Sequence, residues 1–213
     1  IMYSCENENN YCELVGTVHS MPEFSHEIYE ERFYKFALMV ERLSKSCDFI
    51  NVTISEKLLT DDICLTTGEK VHITGQFRSY NNFSGEGSKL ILTVFVKDIK
   101  MFQEGEEIDN PNQIILNGYI CKEPIYRVTP FEREITDILL AVNRPHNKSD
   151  YIPCIAWGRN AKFASKLKVG SNVQIYGRVQ SREYQKKLSE TQIVERTAYE
   201  VSVTKLETIS EQP

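Results

Sequence analysis

The chain has 213 residues, 41% of them hydrophobic and 26% charged, and a formal net charge of −5. That balance is too apolar for a disordered chain, and no apolar run approaches the roughly 18 residues that a membrane-crossing helix requires. The length suits two domains of about 100 residues each.

The opening stretch IMYSCENENNYC has neither the basic segment nor the apolar run of a secretory signal, so a cytoplasmic chain is expected. Cys5, Cys12, Cys47, Cys64, Cys121 and Cys154 are scattered without CxxC or Cys/His spacing. This speaks against both a structural zinc site and a disulfide framework, and reduced thiols follow. His19, His26, His72 and His146 fall at no metal-ligand spacing, and neither a nucleophile elbow nor a phosphate-binding loop occurs. The expectation is therefore a protein that is not an enzyme and needs no metal or cofactor.

Residues 1–103 hold 10 Lys and Arg against 15 Asp and Glu, whereas residues 112–208 hold 15 against 10. The overall charge thus averages an acidic first half and a basic second half, and the second is where a polyanion would go. Between them QEGEEIDNPN is acidic and contains proline, which suits an exposed linker at 104–111. In the first half EKLLTDDICLTT makes a poor helix. In the second, strands are predicted at roughly 113–122, 134–144, 150–157 and 197–206. VQIYGRVQS alternates strictly, with Val173, Ile175, Gly177 and Val179 on one face. GRNAKFASKLK, between Gly158 and Gly170, is the one good helical run. SREYQKK reads as a flexible basic arm, and residues 209–213 as a short tail.

Sliding the sequence on itself by 102 residues aligns Gly16 with Gly118, Pro22 with Pro124, Arg42 with Arg144, Asp48 with Asp150, Gly68 with Gly170 and Gly75 with Gly177. The register then slips by five, so that LTVFVKDI parallels YEVSVTKL, which puts an insertion in the last hairpin of the second copy. The chain is read as two copies of one all-β fold. Five strands with a helix between the third and fourth is the order of the five-stranded Greek-key barrel known as the OB-fold. Two tandem barrels are expected: an acidic, diverged one at 1–103 and a basic one at 112–208, with the helix present at least in the second.

The series LNGYICKEPIYRVTPFEREITDILLAVNRP, DYIPCIAWGRNAKFA, VGSNVQIYGRVQSREY and RTAYEVSV resembles bacterial single-stranded-DNA-binding proteins across nearly all of the second copy. The first copy looks like a diverged relative. Typical members carry one such domain and a long tail with an acidic, aromatic tip, whereas this sequence has two domains and stops at TISEQP. The resemblance implies base-stacking aromatics at Tyr151, Trp157 and Tyr184, and a role in replication, recombination or repair.

The residues themselves fit that implication. Tyr151 and Trp157 are six apart on a strand, so they share a face about 20 Å from each other. Every base has a π-face, so such rings bind single strands with little sequence preference. A strand Trp or Tyr is more often a core residue, which is the competing reading. Arg144, Arg159, Arg178, Arg182, Lys186 and Lys187 are the candidate phosphate contacts. Lys162, Lys166 and Lys168 fit a solvated helix face. At the offset of 102, Arg178 falls on Gln76, Arg182 on Tyr80, Trp157 on Ser55 and Tyr184 on Asn82. Rings and positive charge are largely missing from the first copy, so binding is expected mainly in the second, with Phe49, Arg42, Lys57, Tyr80 and Phe83 as residual contacts. The expected partner is single-stranded DNA. Family particles present four such domains, so a homodimer is the simplest equivalent, with replication proteins as further partners and no membrane. The alternative is a replication or mobile-element accessory protein whose domains mainly bind other proteins.

Overall fold

The computed structural model describes residues 8–84, 87–187 and 189–209, with the backbone alone at 83, 84, 87, 88, 186 and 187. Cys5 and the tail from residue 210 lie outside the described residues. The first half contains β1 (Asn10–Val18), β2 (Glu23–Ile28), β3 (Glu31–Glu41), β4 (Cys47–Ser55), a single 3-10 turn (Glu56–Leu58), β5 (Lys70–Ser84) and β6 (Gly87–Met101). The second contains β7 (Asn112–Ile120), β8 (Ile125–Val128), β9 (Glu134–Arg144), β10 (Lys148–Trp157), α1 (Arg159–Ala164), β11 (Asn172–Lys187) and β12 (Ile193–Thr208).

Within the first half β1 pairs with β5, β5 with β6, β6 with β4 in parallel, β4 with β3, and β3 returns to β1. The same circuit runs β7, β11, β12, β10, β9 and back to β7. Each ring of strands closes around alternating apolar side chains: Leu14, Leu38, Ile50, Val52, Ile73 and Phe77 in one, Leu116, Leu140, Ile152, Val173, Ile175 and Val179 in the other. Each such side chain contributes roughly 1.5–3 kcal/mol by leaving water. Short β2 and β8 lie against β3 and β9.

The two rings share backbone. β1 pairs antiparallel with β7, from Asn10 opposite Leu116 to Leu14 opposite Asn112, so a single twelve-stranded sheet runs through the molecule. The stretch expected as an exposed linker takes part in the join, because the Val15 N–H donates to the Pro111 carbonyl at 2.8 Å. The repeat is visible in the registers. A bulge falls at Thr74/Gly75 against β6 and at Tyr176/Gly177 against β12. Gly75 faces Val96 and Gly177 faces Val203, an offset that has grown from 102 to 107 across the hairpin.

Two expectations are corrected. The helix occupies six residues, Arg159–Ala164, and buries only Ala161 and Ala164, because Gly158 offers no capping side chain and the chain turns at Ser165. SREYQKK is not a flexible arm: β11 continues to Lys187, with Tyr184 opposite Arg196 and Lys187 opposite Ile193.

Candidate nucleic-acid interface

The hairpin of each half reaches across to a strand of the other. Asp150 on β10 accepts a hydrogen bond from the Ser79 N–H of β5 at 2.8 Å, and the Tyr151 N–H donates to the Ser79 hydroxyl at 2.6 Å. The reciprocal set joins β4 to β11: Asp48 accepts from the Ser181 N–H at 3.0 Å, and the Phe49 N–H donates to the Ser181 hydroxyl at 2.9 Å. Two pairs of repeat mates making the same swapped contacts describe a fused pseudo-dimer with an approximate two-fold axis between its halves.

Two of the predicted phosphate contacts belong to this joint. Arg178 reaches Asp48 at 3.4 Å and donates to Gln180 at 3.1 Å, while Arg42 grips the same Asp48 with two hydrogen bonds of 2.7 and 2.5 Å. Arg144 lies 3.0 Å from the fully buried Asp150. Arg178 sits on the polar side of β11, as the alternation predicts, and there meets a carboxylate of the other half; Arg144 shares the parity of the buried Leu140 and Val142 on β9 and meets a carboxylate of its own half. Burial of a carboxylate is tolerated only with such partners, so Arg178 braces Asp48 across the joint, while Arg144 steadies Asp150 within the second half and Asp150 in turn holds Ser79 of the first.

The other candidates lie elsewhere. Tyr151 is 44% exposed and Tyr184 38%, so both rings offer a free face. Trp157 is half-buried, on the same face of β10 as Tyr151, and Arg159 is exposed just beyond it. The Arg182 guanidinium stands 5.8 Å from the Tyr184 ring and donates to Glu200 at 3.1 Å, which holds the cation beside the ring. Lys186 and Lys187 extend the same hairpin by backbone pairing, and their side chains lie outside the described residues.

Tyr184 also lines a groove of about 930 Å³ between the hairpins of the two halves. Sequence reasoning missed this groove, since no local pattern reports that hairpins 100 residues apart converge. On the first half, Phe49 is 39% exposed with His19 at 4.7 Å between ring centroids. Further rings come from other strands than those carrying the second-half candidates: His26 stacks on Phe33 at 4.9 Å, Phe33 meets Phe95 at 5.7 Å, and the Arg78 guanidinium covers Phe95 at 4.0 Å. Phe33 is only 7% exposed, so this ladder is mostly closed upon itself. Among the described residues no cluster of His, Cys, Asp or Glu is arranged to hold a metal ion, and no helix is long and apolar enough to cross a membrane.

Comparison with known proteins bears on the basic half. Residues 111–209 match the model of the Single-strand binding protein family. The match runs over nearly the whole of the second half and none of the first. Single-stranded DNA-binding protein 3 of Listeria innocua is 37% identical over 81 residues, which is 35% of this chain and 51% of the relative. Single-stranded DNA-binding protein A of Bacillus subtilis is 36% identical over 81 residues, 35% of this chain and 47% of the relative. The chain thus spans about half the length of the curated relatives it matches. The wild-type single-stranded DNA binding protein from Thermus aquaticus superposes with a TM-score of 0.73 over 96% of this chain and 94% of its own, at 20% identity. That likeness shows a shared fold over both halves of the chain, the family match being confined to the second.

Proposed function

We propose that the chain is a tandem pair of OB-fold barrels that binds single-stranded DNA without sequence preference, mainly through the second barrel, and acts by binding rather than catalysis. The observation that carries this reading is the pair of exposed rings, Tyr151 and Tyr184, in a basic half that matches the model of the Single-strand binding protein family. Stacking contributes roughly 1–3 kcal/mol per base, and duplex is rejected because its bases are already stacked and enclosed. Arg159, Arg182, Lys186 and Lys187 supply the salt-sensitive attraction, and Trp157 a third platform. With about four phosphates neutralised, log K falls with log salt at a slope of about −3.

A fluorescence titration with oligo-dT tests this directly, because Trp157 is the sole tryptophan of the sequence. Strong quenching on binding is expected. Duplex bound as tightly as single strand, or oligo-dT bound with no change in emission, refutes the assignment. The cellular setting is a cytoplasmic one of replication, recombination or repair, with two chains assembling to present four barrels. A protein-adaptor reading is favoured by one feature: exposed Phe24, Ile28 and Tyr29 share the β2 hairpin of the acidic half with Glu23, Glu27 and Glu30. Such an adaptor would retain oligo-dT only weakly in filter binding.

A further inference from the structure

The pairing that closes the second circuit of strands brings one more aromatic side chain to the candidate interface. Tyr119, at the end of β7, lies opposite Ala141 of β9, and Ala141 lies opposite Tyr151 of β10. Residues opposite one another share a face, and strands are spaced by about 4.8 Å, so the two phenol side chains leave one face about 10 Å apart with only a methyl group between them. All three point away from the core, since their neighbours Ile120, Leu140, Val142 and Ile152 are buried. The close approach of β7 to β9 is built in, because a Cβ on Gly118 would strike the Ala141 carbonyl oxygen. Tyr119 is 41% exposed, about as open as Tyr151. Among the described residues its phenol has no hydrogen-bond, ion-pair or aromatic partner.

The same row exists in the first half with its gap filled. There Thr17 lies opposite Met39, and Met39 opposite Phe49. A long side chain takes the place of the methyl group, and threonine the place of one phenol. His19 stands 4.7 Å from Phe49 between centroids, where its mate at the offset of 102 is the smaller Cys121. Two copies of one scaffold thus differ at this row in the direction that opens a slot in the basic half alone.

We propose that the slot between Tyr119 and Tyr151 takes one unpaired base of a single strand, sandwiched between the two phenols over Ala141. The inference rests on the single-strand reading above and adds to it a contact from β7, a strand that carries none of the other stacking candidates. Stacked bases repeat at about 3.4 Å, so a base with an aromatic face on either side needs those faces about 7 Å apart. Side chains rooted about 10 Å apart reach that spacing by leaning inward, and the small Ala141 leaves them the room. Purine and pyrimidine are both accepted, because each offers a π-face. Tyr119 also shares its face of β7 with Ile115, four residues away, so a contact with a second copy is the competing use of the same side chain.

The test titrates the full chain with an oligo-dT of about 15 nucleotides, within the roughly 4–16 that one barrel accommodates. Tyr119→Ala should weaken binding about tenfold with the salt slope unchanged, since a neutral side chain is lost. Tyr119→Phe keeps the aromatic face and should recover the affinity. Ala141→Met, which copies the first half, should fill the slot and weaken binding by a similar factor. Circular dichroism and the quenching of Trp157 at saturation should match the unsubstituted protein in all three; should Ala141→Met fail to fold, the two Tyr119 variants decide. Unaltered affinity in Tyr119→Ala would remove the slot while leaving the single-strand reading standing. A loss in Tyr119→Phe as large as in Tyr119→Ala would show the hydroxyl at work and overturn the sandwich. A halved mass in light scattering with unchanged affinity would assign Tyr119 to a contact between chains and overturn it as well. Failure of the unsubstituted protein to bind oligo-dT would overturn both the slot and the reading beneath it.

Discussion

Asp48 and Asp150 occupy the same place in the two copies and are held differently. Asp48 meets two guanidinium groups, one from each half, and the Ser181 N–H. Asp150 accepts from the Ser79 N–H, but its second oxygen and the Arg144 Nε, 3.0 Å apart, are too poorly aligned to hydrogen bond. Burial pushes the Asp150 carboxyl above its ordinary value, while the Ser79 N–H, Arg144 and Arg78 pull it back only in part. Asp150→Ala strips Ser79 and Arg144 of their partner together, and a loss of about 3–5 kcal/mol in urea denaturation is expected. A loss below about 1 kcal/mol would mean that the joint carries little of the stability. The sign of the pH dependence follows from the raised pKa. The folded chain binds this proton more tightly than the unfolded chain, so the stability contribution is fully present below about 3.8 and is lost as pH rises through the folded value. The stability of the unsubstituted protein minus that of Asp150→Asn should therefore fall across that window and level off above it; a difference that grows with pH would show that the arginines win. The repeat displays Arg42 with Arg144 and Asp48 with Asp150 in plain sequence, yet not their work. A guanidinium that suits phosphate suits carboxylate equally, and only the placement of Asp48 beside β11 decides for Arg178.

At the level of elements, legibility follows burial. Strands that cover a core announce themselves by alternation, and β9, β10 and the first part of β11 lie where the pattern puts them. SREYQKK does not alternate in polarity because the hairpin has left the ring and has no core to face; its backbone still pairs with β12 as far as Lys187. β8 went unseen for the same reason, all four of its residues being exposed. Glycine marks what the apolar pattern cannot. At the β11 bulge, a Cβ on Gly177 would collide with the Ser202 carbonyl oxygen, and the mate Gly75 stands equally close to the Phe95 carbonyl. This accounts for their survival in both copies, where the bulge lets the strand turn the corner of the ring. Gly177→Ala should cost about 1–3 kcal/mol, read from the denaturation midpoint with an unchanged dependence on denaturant. Tolerance of alanine there would mean that the two strands can separate without penalty.

For the whole molecule, the shared β1–β7 pairing decides what remains available for assembly. β1 and β7 belong to the two repeat copies, so the pairing that joins the two rings is made within one chain. The sheet order β6-β5-β1-β7-β11-β12 crosses the join without a break and presents one broad face away from both cores. On it stand Ile115, of opposite parity to the buried Ile114 and Leu116, with Tyr176 beside it on β11 at the same register position. Glu13 and His72 pair at 2.6 Å on the first-half side. A face of half-buried apolar and paired polar side chains, repeated about a pseudo-two-fold axis, is suited to an isologous contact with a second copy. The crossing of the swapped hairpins is not, because Asp48, Ser79, Asp150 and Ser181 are already paired with one another's strands within the chain. Light scattering at micromolar concentration should give the mass of two chains, and Ile115→Asp should shift it to one chain while leaving the circular dichroism spectrum of the β fold unaltered. A single-chain mass for the unsubstituted protein would eliminate the dimer.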